Sequence, residues 1–246
     1  MPAWLTGHEP DGAPTSVPHL AFLALPYVGY EHADGHLMGL AIALPKGVDP
    51  GERARWLRPL LVDRETGEPS DVRLDEGVLR VWGRRLPEWT LQLEQRQSPP
   101  MILRNATWTK PSHVWSSVTP VVLDRFPHAS KTTQPEVWQA EVEEIISTAC
   151  ERSGLPRPIE TRVGTTAWLR GVPRSSVKTR LGSGLSRPAG PGSLGDGFPS
   201  MPERPGRPKR PQFHVWLRFS KPVAGPVLIG AGRFFGYGLC KPVAEY

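Results

Sequence analysis

The sequence predicts an α+β protein made of two domains. The chain has 246 residues, of which 38% are apolar, enough for two domains of about 100 residues with a core each. Short runs that alternate apolar and polar residues predict β-strands, and one longer run with helical spacing predicts an α-helix. We expect an N-terminal domain over residues 1–100, a connector over 101–116 and a C-terminal domain over 117–246.

The N-terminal domain is expected to open with a β-hairpin. Apolar runs over residues 19–25 and 37–44 predict its two strands, and Asp34-Gly35 between them is a dipeptide favoured in hairpin turns. A short amphipathic helix follows over 52–61, although Pro59 works against it.

Two further strands complete this domain, over residues 77–82 and 89–94, where apolar and polar residues alternate.

The C-terminal domain is predicted to begin with a strand and the clearest helix of the chain. Residues 117–124 predict the strand, and Pro120 indicates an edge position or a bulge. Thr133 and Glu136 have the spacing of a capping box, and apolar residues at helical spacing follow them.

Three more strands are predicted after this helix, over residues 159–169, 213–219 and 239–243. A basic segment separates the first two, and a glycine-rich segment separates the last two. The order strand, helix, strand, strand, loop, strand is that of a ferredoxin-like domain.

The positive charge is concentrated in one segment. From Arg170 to Arg210 there are nine lysines and arginines against two acidic residues, whereas the whole chain has a net charge of +6. Eight glycines and seven prolines in the same 41 residues predict a mobile basic loop over about 171–211. Such an arm attracts phosphates by counterion release, and the alternative is a solvated linker that keeps the protein soluble. The nucleic-acid-binding candidates in it are Arg174, Lys178 and Arg180.

The strongest functional signal is the segment 230–238, with four glycines, one arginine and three aromatic residues in nine positions. Glycine lets a backbone approach a ligand, arginine contacts phosphate and aromatic rings stack on bases, so the segment predicts an RNA-gripping loop. The alternative is a tight structural turn. Its spacing differs from the dinucleotide fingerprint, and the chain lacks the Gly-Lys-Ser/Thr of a P-loop. The RNA-binding candidates are Gly230, Gly232, Arg233, Gly236, Tyr237 and Gly238.

The strand over residues 213–219 supplies a second candidate RNA surface. Alternation places His214, Trp216 and Arg218 on one face, where an aromatic ring and a guanidinium can contact unstacked bases. We expect Trp216 and Arg218 to bind RNA. In the alternative, Trp216 packs under a helix or a partner chain and the other two are ordinary surface residues.

The cysteines and the N-terminus indicate which classes of protein the sequence does not fit. Cys150 and Cys240 have no metal-ligand spacing, so we expect no metal, no cofactor and no structural disulfide. The N-terminus lacks the regions of a signal peptide, and the apolar runs are too short to span a bilayer. We expect a cytoplasmic protein with no membrane partner.

Besides the glycine-rich segment, residues 5–22, 27–35 and 117–125 carry a resemblance to a known family. With them, the chain resembles the CRISPR-associated repeat-RNA endoribonucleases of the RAMP superfamily. It looks most similar to the C-terminal processing half of the fused 5′-handle-binding and processing subunit of type I-U (I-G) Cascade. The resemblance implies two ferredoxin-like (RRM-like) domains in tandem, with a C-terminal glycine-rich loop.

The first ferredoxin-like unit is expected to be incomplete, lacking its first strand and helix. Either the chain is a fragment of a longer fusion, or another chain covers the sheet edge left behind, because an unpaired edge invites pairing.

The resemblance also implies a reaction. It is metal-independent cleavage of a CRISPR repeat by 2′-hydroxyl attack, giving a 2′,3′-cyclic phosphate, with the protein staying bound to the crRNA 3′ end. The implied partners are repeat RNA, crRNA and the other subunits of a type I-U (I-G) effector complex, including the 5′-handle-binding half. Two alternatives stay open: a non-catalytic crRNA-binding structural subunit, and a basic interaction protein with no RNA specificity.

Histidine suits the acid and base roles of this reaction because its unperturbed pKa lies near neutrality. Glu31 to His36 places two imidazoles around a tight turn, with the carboxyl groups of Glu31 and Asp34 available to orient them. We expect His32 to be catalytic, followed by His36 and then His8. In the alternative, these are exposed turn residues with no catalytic duty.

Overall fold

A computed structural model describes residues 1–61, 78–83, 86–176, 197–202 and 208–244. The fold is mixed α and β, and its strands pair antiparallel. In chain order the elements are α1 Ala3–Thr6, β1 Ala21–Pro26, β2 Leu37–Ala43, α2 Pro50–Leu61, β3 Val78–Gly83, β4 Leu86–Gln92, α3 Ala106–Thr109, β5 Ser112–Ser117, β6 Val121–Val122, α4 Pro135–Arg152, β7 Glu160–Gly164, β8 Gln212–Val223, β9 Val227–Leu228 and β10 Leu239–Pro242, with 3-10 turns at Met101–Leu103 and Arg233–Phe235.

Contacts divide the chain into two compact units. Unit 1 consists of Met1–Leu20 and Leu44–Leu103, and unit 2 of Ala21–Ala43 and Arg104–Tyr246. The domain boundaries expected at residues 100 and 116 stay predictions.

Unit 1 contains α1, α2 and the antiparallel pair β3 and β4. The predicted helix is confirmed as α2, and the Asp49 carboxylate accepts a hydrogen bond from the backbone N–H of Glu52 at 3.0 Å in its first turn. The two strands predicted after it are confirmed as β3 and β4, with slightly shifted ends.

Unit 2 begins with the predicted hairpin, confirmed as the antiparallel pair β1 and β2. Phe22 lies opposite Ile42, and both side chains are exposed. In the connection, Gly35 has φ of 81°, a conformation that glycine adopts without strain.

A six-stranded sheet of the described residues forms the centre of unit 2. Its strands run in the order β6-β8-β5-β10-β9, and β7 also pairs with β8. Across four of these strands, Arg162, Trp216, Ser116 and Lys241 are neighbours in register. The predicted order strand, helix, strand, strand, loop, strand agrees with β5, α4, β7, β8 and β10, with β9 and a 3-10 turn before the last strand. Two tandem ferredoxin-like domains stay a prediction.

Helix α4 covers one face of this sheet, which we call the helix face. The alternation predicted along β8 is confirmed there, because Phe213, Val215, Leu217 and Phe219 are all buried in one apolar core. The residues that α4 contributes to this core are Val142, Ile145, Ile146 and Cys150. We call the opposite face, with His214, Trp216 and Lys241, the loop face.

The predicted capping box of α4 is wrong, although the helix itself is confirmed. The residue before its first turn is Gln134, and no side chain caps that end. Pro135 begins the helix because its constrained φ suits the first helical position. Thr133 lies outside it, and its backbone N–H is 3.3 Å from the Ser130 hydroxyl.

The strand predicted over 117–124 is instead two strands, β5 and β6. Between them the Thr119 hydroxyl accepts the N–H of Leu239, and the Pro120 carbonyl accepts the N–H of Gly238. These groups bind the glycine-rich segment and therefore cannot continue a strand ladder. The strand predicted over 159–169 likewise ends at Gly164.

Candidate functional site

The connection between β1 and β2 carries the two leading catalytic candidates. This histidine turn, residues 27–36, is closed by the N–H of Tyr27 donating to the carbonyl of His36 at 2.8 Å, and by Gly35 N–H donating to Tyr27 at 3.0 Å. It packs on a neighbouring segment, where a Cβ at Gly171 would lie 2.9 Å from the Ala33 carbonyl group. The turn is therefore a docked part of unit 2.

Within the histidine turn, His36 is oriented by Asp34. The His36 Nδ1 lies 2.5 Å from an Asp34 carboxylate oxygen, and its Nε2 lies 2.9 Å from the Met38 sulfur. Both side chains are more than half exposed. Hydrogen bonds from His36 lower the pKa of Asp34, and the one from its backbone N–H has a larger effect than the one from its side chain. The carboxylate therefore stays ionised beside the imidazole.

His32 lies in the same turn and is exposed. Among the described residues no hydrogen bond or ion pair holds its ring. His32 and His36 thus lie on one turn, and of the two rings only that of His36 is held by a carboxylate.

Two tyrosines and a lysine pack in succession next to His36 and extend the site. The rings of Tyr27 and Tyr30 stack with centroids 5.5 Å apart, and the Tyr27 ring lies 5.4 Å from that of His36. Lys241 Nζ lies 3.9 Å from the centre of the Tyr30 ring and donates to the Val28 carbonyl at 2.8 Å.

Burial shifts the pKa values of Lys241 and Tyr30. Lys241 is 7% exposed, and burial lowers its pKa to about 8. Burial, followed by the neighbouring Tyr27, raises the pKa of Tyr30. A cation is therefore held beneath the aromatic layer of the turn.

Sequence reasoning missed Tyr27, Tyr30 and Lys241 as parts of this site. The two tyrosines had a signal, because both lie in the family-like stretch 27–35. Lys241 had none, since it lies 213 positions from Val28 and only the fold brings the two together.

His8, the third candidate, belongs to unit 1. It is exposed, its Nδ1 is 3.0 Å from the Thr6 carbonyl, and its backbone bridges to Pro14. Its catalytic role stays a prediction.

The glycine-rich segment is tightly packed on its own unit. A Cβ at Gly238 would lie 1.9 Å from the Ile229 carbonyl, and one at Gly230 would lie 2.6 Å from the Val122 carbonyl. Gly236 and Gly232 are similarly close to protein atoms, at 3.0 Å from Phe22 and 2.8 Å from Tyr237. These contacts account for the glycines as a tight structural turn, and RNA contact by them stays a prediction.

The side chains of this segment differ in their access to solvent. Arg233 is turned inward, donating to the Gly230 carbonyl at 3.3 Å and lying 4.5 Å from the centre of the Phe234 ring, and burial lowers its pKa. The Tyr237 hydroxyl lies 3.3 Å from the Pro199 carbonyl. Phe235, which the sequence did not single out, is 72% exposed.

On β8 the three residues predicted to share a face differ in burial. His214 is fully buried, with Nδ1 3.0 Å from the Ser117 hydroxyl and Nε2 2.9 Å from the Pro173 carbonyl. Because this ring is buried, the alternative in which His214 is an ordinary surface residue is wrong. Burial also lowers its pKa to about 4. Trp216 is partly buried and Arg218 is exposed.

Of the candidates in the basic segment, Arg174 is described. It is exposed, and its guanidinium donates to the Thr165 hydroxyl at 3.0 Å. Lys178 and Arg180 lie outside the described residues, as does most of the predicted mobile loop.

In the described part of the chain, no group of three or more His, Cys, Asp or Glu side chains is placed to hold a metal ion. None of its helices is long and apolar enough to cross a membrane. Cys150 and Cys240 are both buried as free thiols.

Comparison with known proteins identifies a family. Searches of curated proteins and of solved structures found no match. The family model described as CRISPR-associated protein, GSU0054 family, matches residues 1–242. Because the match covers nearly the whole chain, this protein belongs to the CRISPR-associated GSU0054 family and has its role in CRISPR defence.

Proposed function

We propose that this protein is an endoribonuclease that processes CRISPR repeat RNA in the cytoplasm. In the proposed reaction a ribose 2′-hydroxyl loses its proton to a base and attacks the adjacent phosphorus. The bond from phosphorus to the 5′-oxygen breaks, and an acid protonates that oxygen. The products are a 2′,3′-cyclic phosphate and a 5′-hydroxyl. The protein then stays bound to the crRNA 3′ end within a type I effector complex.

The observation that carries this proposal is the exposed, docked histidine turn. Asp34 orients the His36 ring through Nδ1, and Nε2, which lies against the Met38 sulfur, is the nitrogen that would exchange a proton with RNA once that weak contact gives way. His32 lies on the same turn, so one histidine can act as base while the other acts as acid. In this proposal His36 leads, because it is the braced member of the pair.

Lys241 supports the site from below. Its Nζ donates to the backbone of the turn at Val28 and lies against the Tyr30 ring. We assign it the role of a positioning residue, since its ammonium group is buried against protein rather than presented to solvent.

The test is cleavage of labelled cognate repeat RNA in excess EDTA, with the product ends mapped. We expect one cut that leaves a 2′,3′-cyclic phosphate. His36→Ala should slow it by about 10²- to 10⁴-fold, the usual contribution of a positioned proton transfer, and repeat binding should persist.

His128→Ala is the matched control, because His128 is also an exposed histidine of unit 2 and lies outside the turn. It should cut at the unaltered rate. Unchanged cleavage in both His36→Ala and His32→Ala would refute the assignment. Tight repeat binding with no cut by the unaltered protein would favour the second candidate, a non-catalytic crRNA-binding subunit.

A further inference from the structure

One edge of the loop face presents aromatic and guanidinium planes to solvent. Arg162 on β7 lies over the ring of Trp216 on β8, with its guanidinium carbon 4.6 Å from the ring centre. A Cβ at Gly164 would meet the ring of Trp168 at 3.4 Å, so that ring lies against Gly164, two positions from Arg162 on the same face of β7. Trp168 is 40% exposed and the Arg162 side chain 56% exposed.

A single glutamate orders two arginines at this edge. The Glu160 carboxylate pairs with Arg162 at 2.6 Å and with Arg218 at 2.9 Å. Arg174 adds a third exposed guanidinium near Thr165. Three cations against one anion leave the edge positive, which is complementary to a phosphate backbone.

We propose that this edge, composed of Trp168, Arg162, Trp216, Arg218, Glu160 and Arg174, binds an unpaired stretch of RNA by stacking. Flat arginine and aromatic side chains are the groups on which unstacked RNA bases lie. A base on the outer side of the Arg162 guanidinium would form a three-layer stack with Trp216. A paired helix offers no free base faces, so single-stranded RNA is the occupant.

The fold relates this stacking edge to the histidine turn. Arg162, Trp216, Ser116 and Lys241 are in register on adjacent strands, so about 14 Å separate the first and last at the usual strand spacing. Lys241 touches the histidine turn. The inference rests on the RNA-binding part of the proposed function, and places unpaired nucleotides of the substrate a short distance from the cleaved bond.

A second cation on a tryptophan ring provides the matched control. Lys131 lies 4.8 Å from the centre of the Trp138 ring, and Trp138 packs against the core on the helix face. Arg162→Ala and Lys131→Ala therefore each remove one positive charge from one tryptophan, on opposite faces of the sheet.

The experiment measures binding of a labelled ten-nucleotide oligoadenylate by fluorescence anisotropy, using the full chain. Arg162→Ala should weaken binding about tenfold, the effect of losing one stacked base, and Lys131→Ala less than about twofold. Arg162→Lys keeps the charge but not the plane, so it should lose most of the same affinity. Circular dichroism spectra must be the same for all four proteins.

The outcomes separate this inference from the proposed nuclease. Equal loss in Arg162→Ala and Lys131→Ala, full affinity in Arg162→Lys, or no binding of the oligoadenylate by the unaltered chain would each overturn the stacking edge. Binding of another protein to β7, together with unchanged RNA affinity in Arg162→Ala, would also overturn it. If oligoadenylate binding depends on Arg162 but the unaltered protein does not cut the repeat RNA, the stacking edge is supported and the nuclease is refuted.

Discussion

The helix face of the main sheet buries apolar side chains, whereas the loop face buries polar ones against backbone carbonyls. On the helix face, Val215 and Leu217 are fully buried in a core of hydrocarbon. On the loop face, His214 donates to Pro173, and Lys241 donates to Val28. The first arrangement depends on area removed from water, while the second depends on protonation and on hydrogen bonds to loops.

Gln212 extends the pattern of the loop face, because its side-chain amide donates to the carbonyls of Ser175 and Pro199. Three sheet residues thus hold two connections by their backbones, the histidine turn and the described parts of the connection between β7 and β8.

The largest effect should come from breaking the helix face. Leu217→Ala removes a fully buried side chain and should lower the free energy of unfolding by about 3 kcal/mol, within the usual range for such a cavity. Arg218→Ala, one residue away on the opposite face, is the control and should cost less than about 1 kcal/mol. Urea unfolding followed by circular dichroism measures both. Equal losses would contradict the comparison.

The loop face should weaken in acid at His214. Its folded pKa of about 4 lies below the unfolded value near 6.5, so the unfolded state binds the extra proton between these values. Stability is fully present above pH 6.5 and is lost as pH falls toward 4, by roughly 2.5 kcal/mol between pH 7 and 4.5. His214→Gln keeps a donor and an acceptor without titrating in this range. The variant should lack this part of the loss, and identical pH curves would refute the assignment.

Lys241 should change stability in the same direction as His214, but in an alkaline pH window. Its folded pKa of about 8 lies below the ordinary value of 10.5, so the unfolded state binds more protons between the two and stability rises with pH there. The expected gain is about 2 kcal/mol between pH 8 and 10. Lys241→Met should abolish it, and the difference between the two unfolding curves isolates this group from other titrating residues. A variant with the same rise would show that Lys241 is not the source.

The smallest effect should come from the two cations that lie on tryptophan rings. Arg162→Ala and Lys131→Ala should each change the free energy of unfolding by less than about 1 kcal/mol, because both interactions lie near solvent. Thermal or urea unfolding of the pair would show whether the two faces differ here in stability. A loss above 2 kcal/mol in either variant would make that residue part of the core.

Local patterns predicted most elements of the fold. The hairpin of β1 and β2, the helices α2 and α4, and strand β8 followed from alternation and helical spacing. Strand β5 was misplaced because Ser112 to Ser117 is largely polar and does not alternate. Its serines are satisfied by contacts the sequence does not reveal, such as Ser116 with Val215 and Ser117 with His214.

The candidate site was predictable where it is local. Asp34, His36 and the turn between them follow from six consecutive residues. Lys241 and the true surroundings of Gly238 depend on partners far away in sequence, so no spacing rule could find them. The packed glycines also show that a composition suited to ligand contact serves equally for contact of the chain with itself.

The hydrogen bond from Lys241 to Val28 has a consequence for the order of events during synthesis. The two residues are 213 positions apart, and at ordinary elongation rates of about 5–20 residues per second the ribosome needs roughly 10–40 s to add that length. For this interval the histidine turn exists without its lysine. The contact between the turn and Lys241 must therefore follow translation of β10, even though the turn can pack against Gly171 earlier.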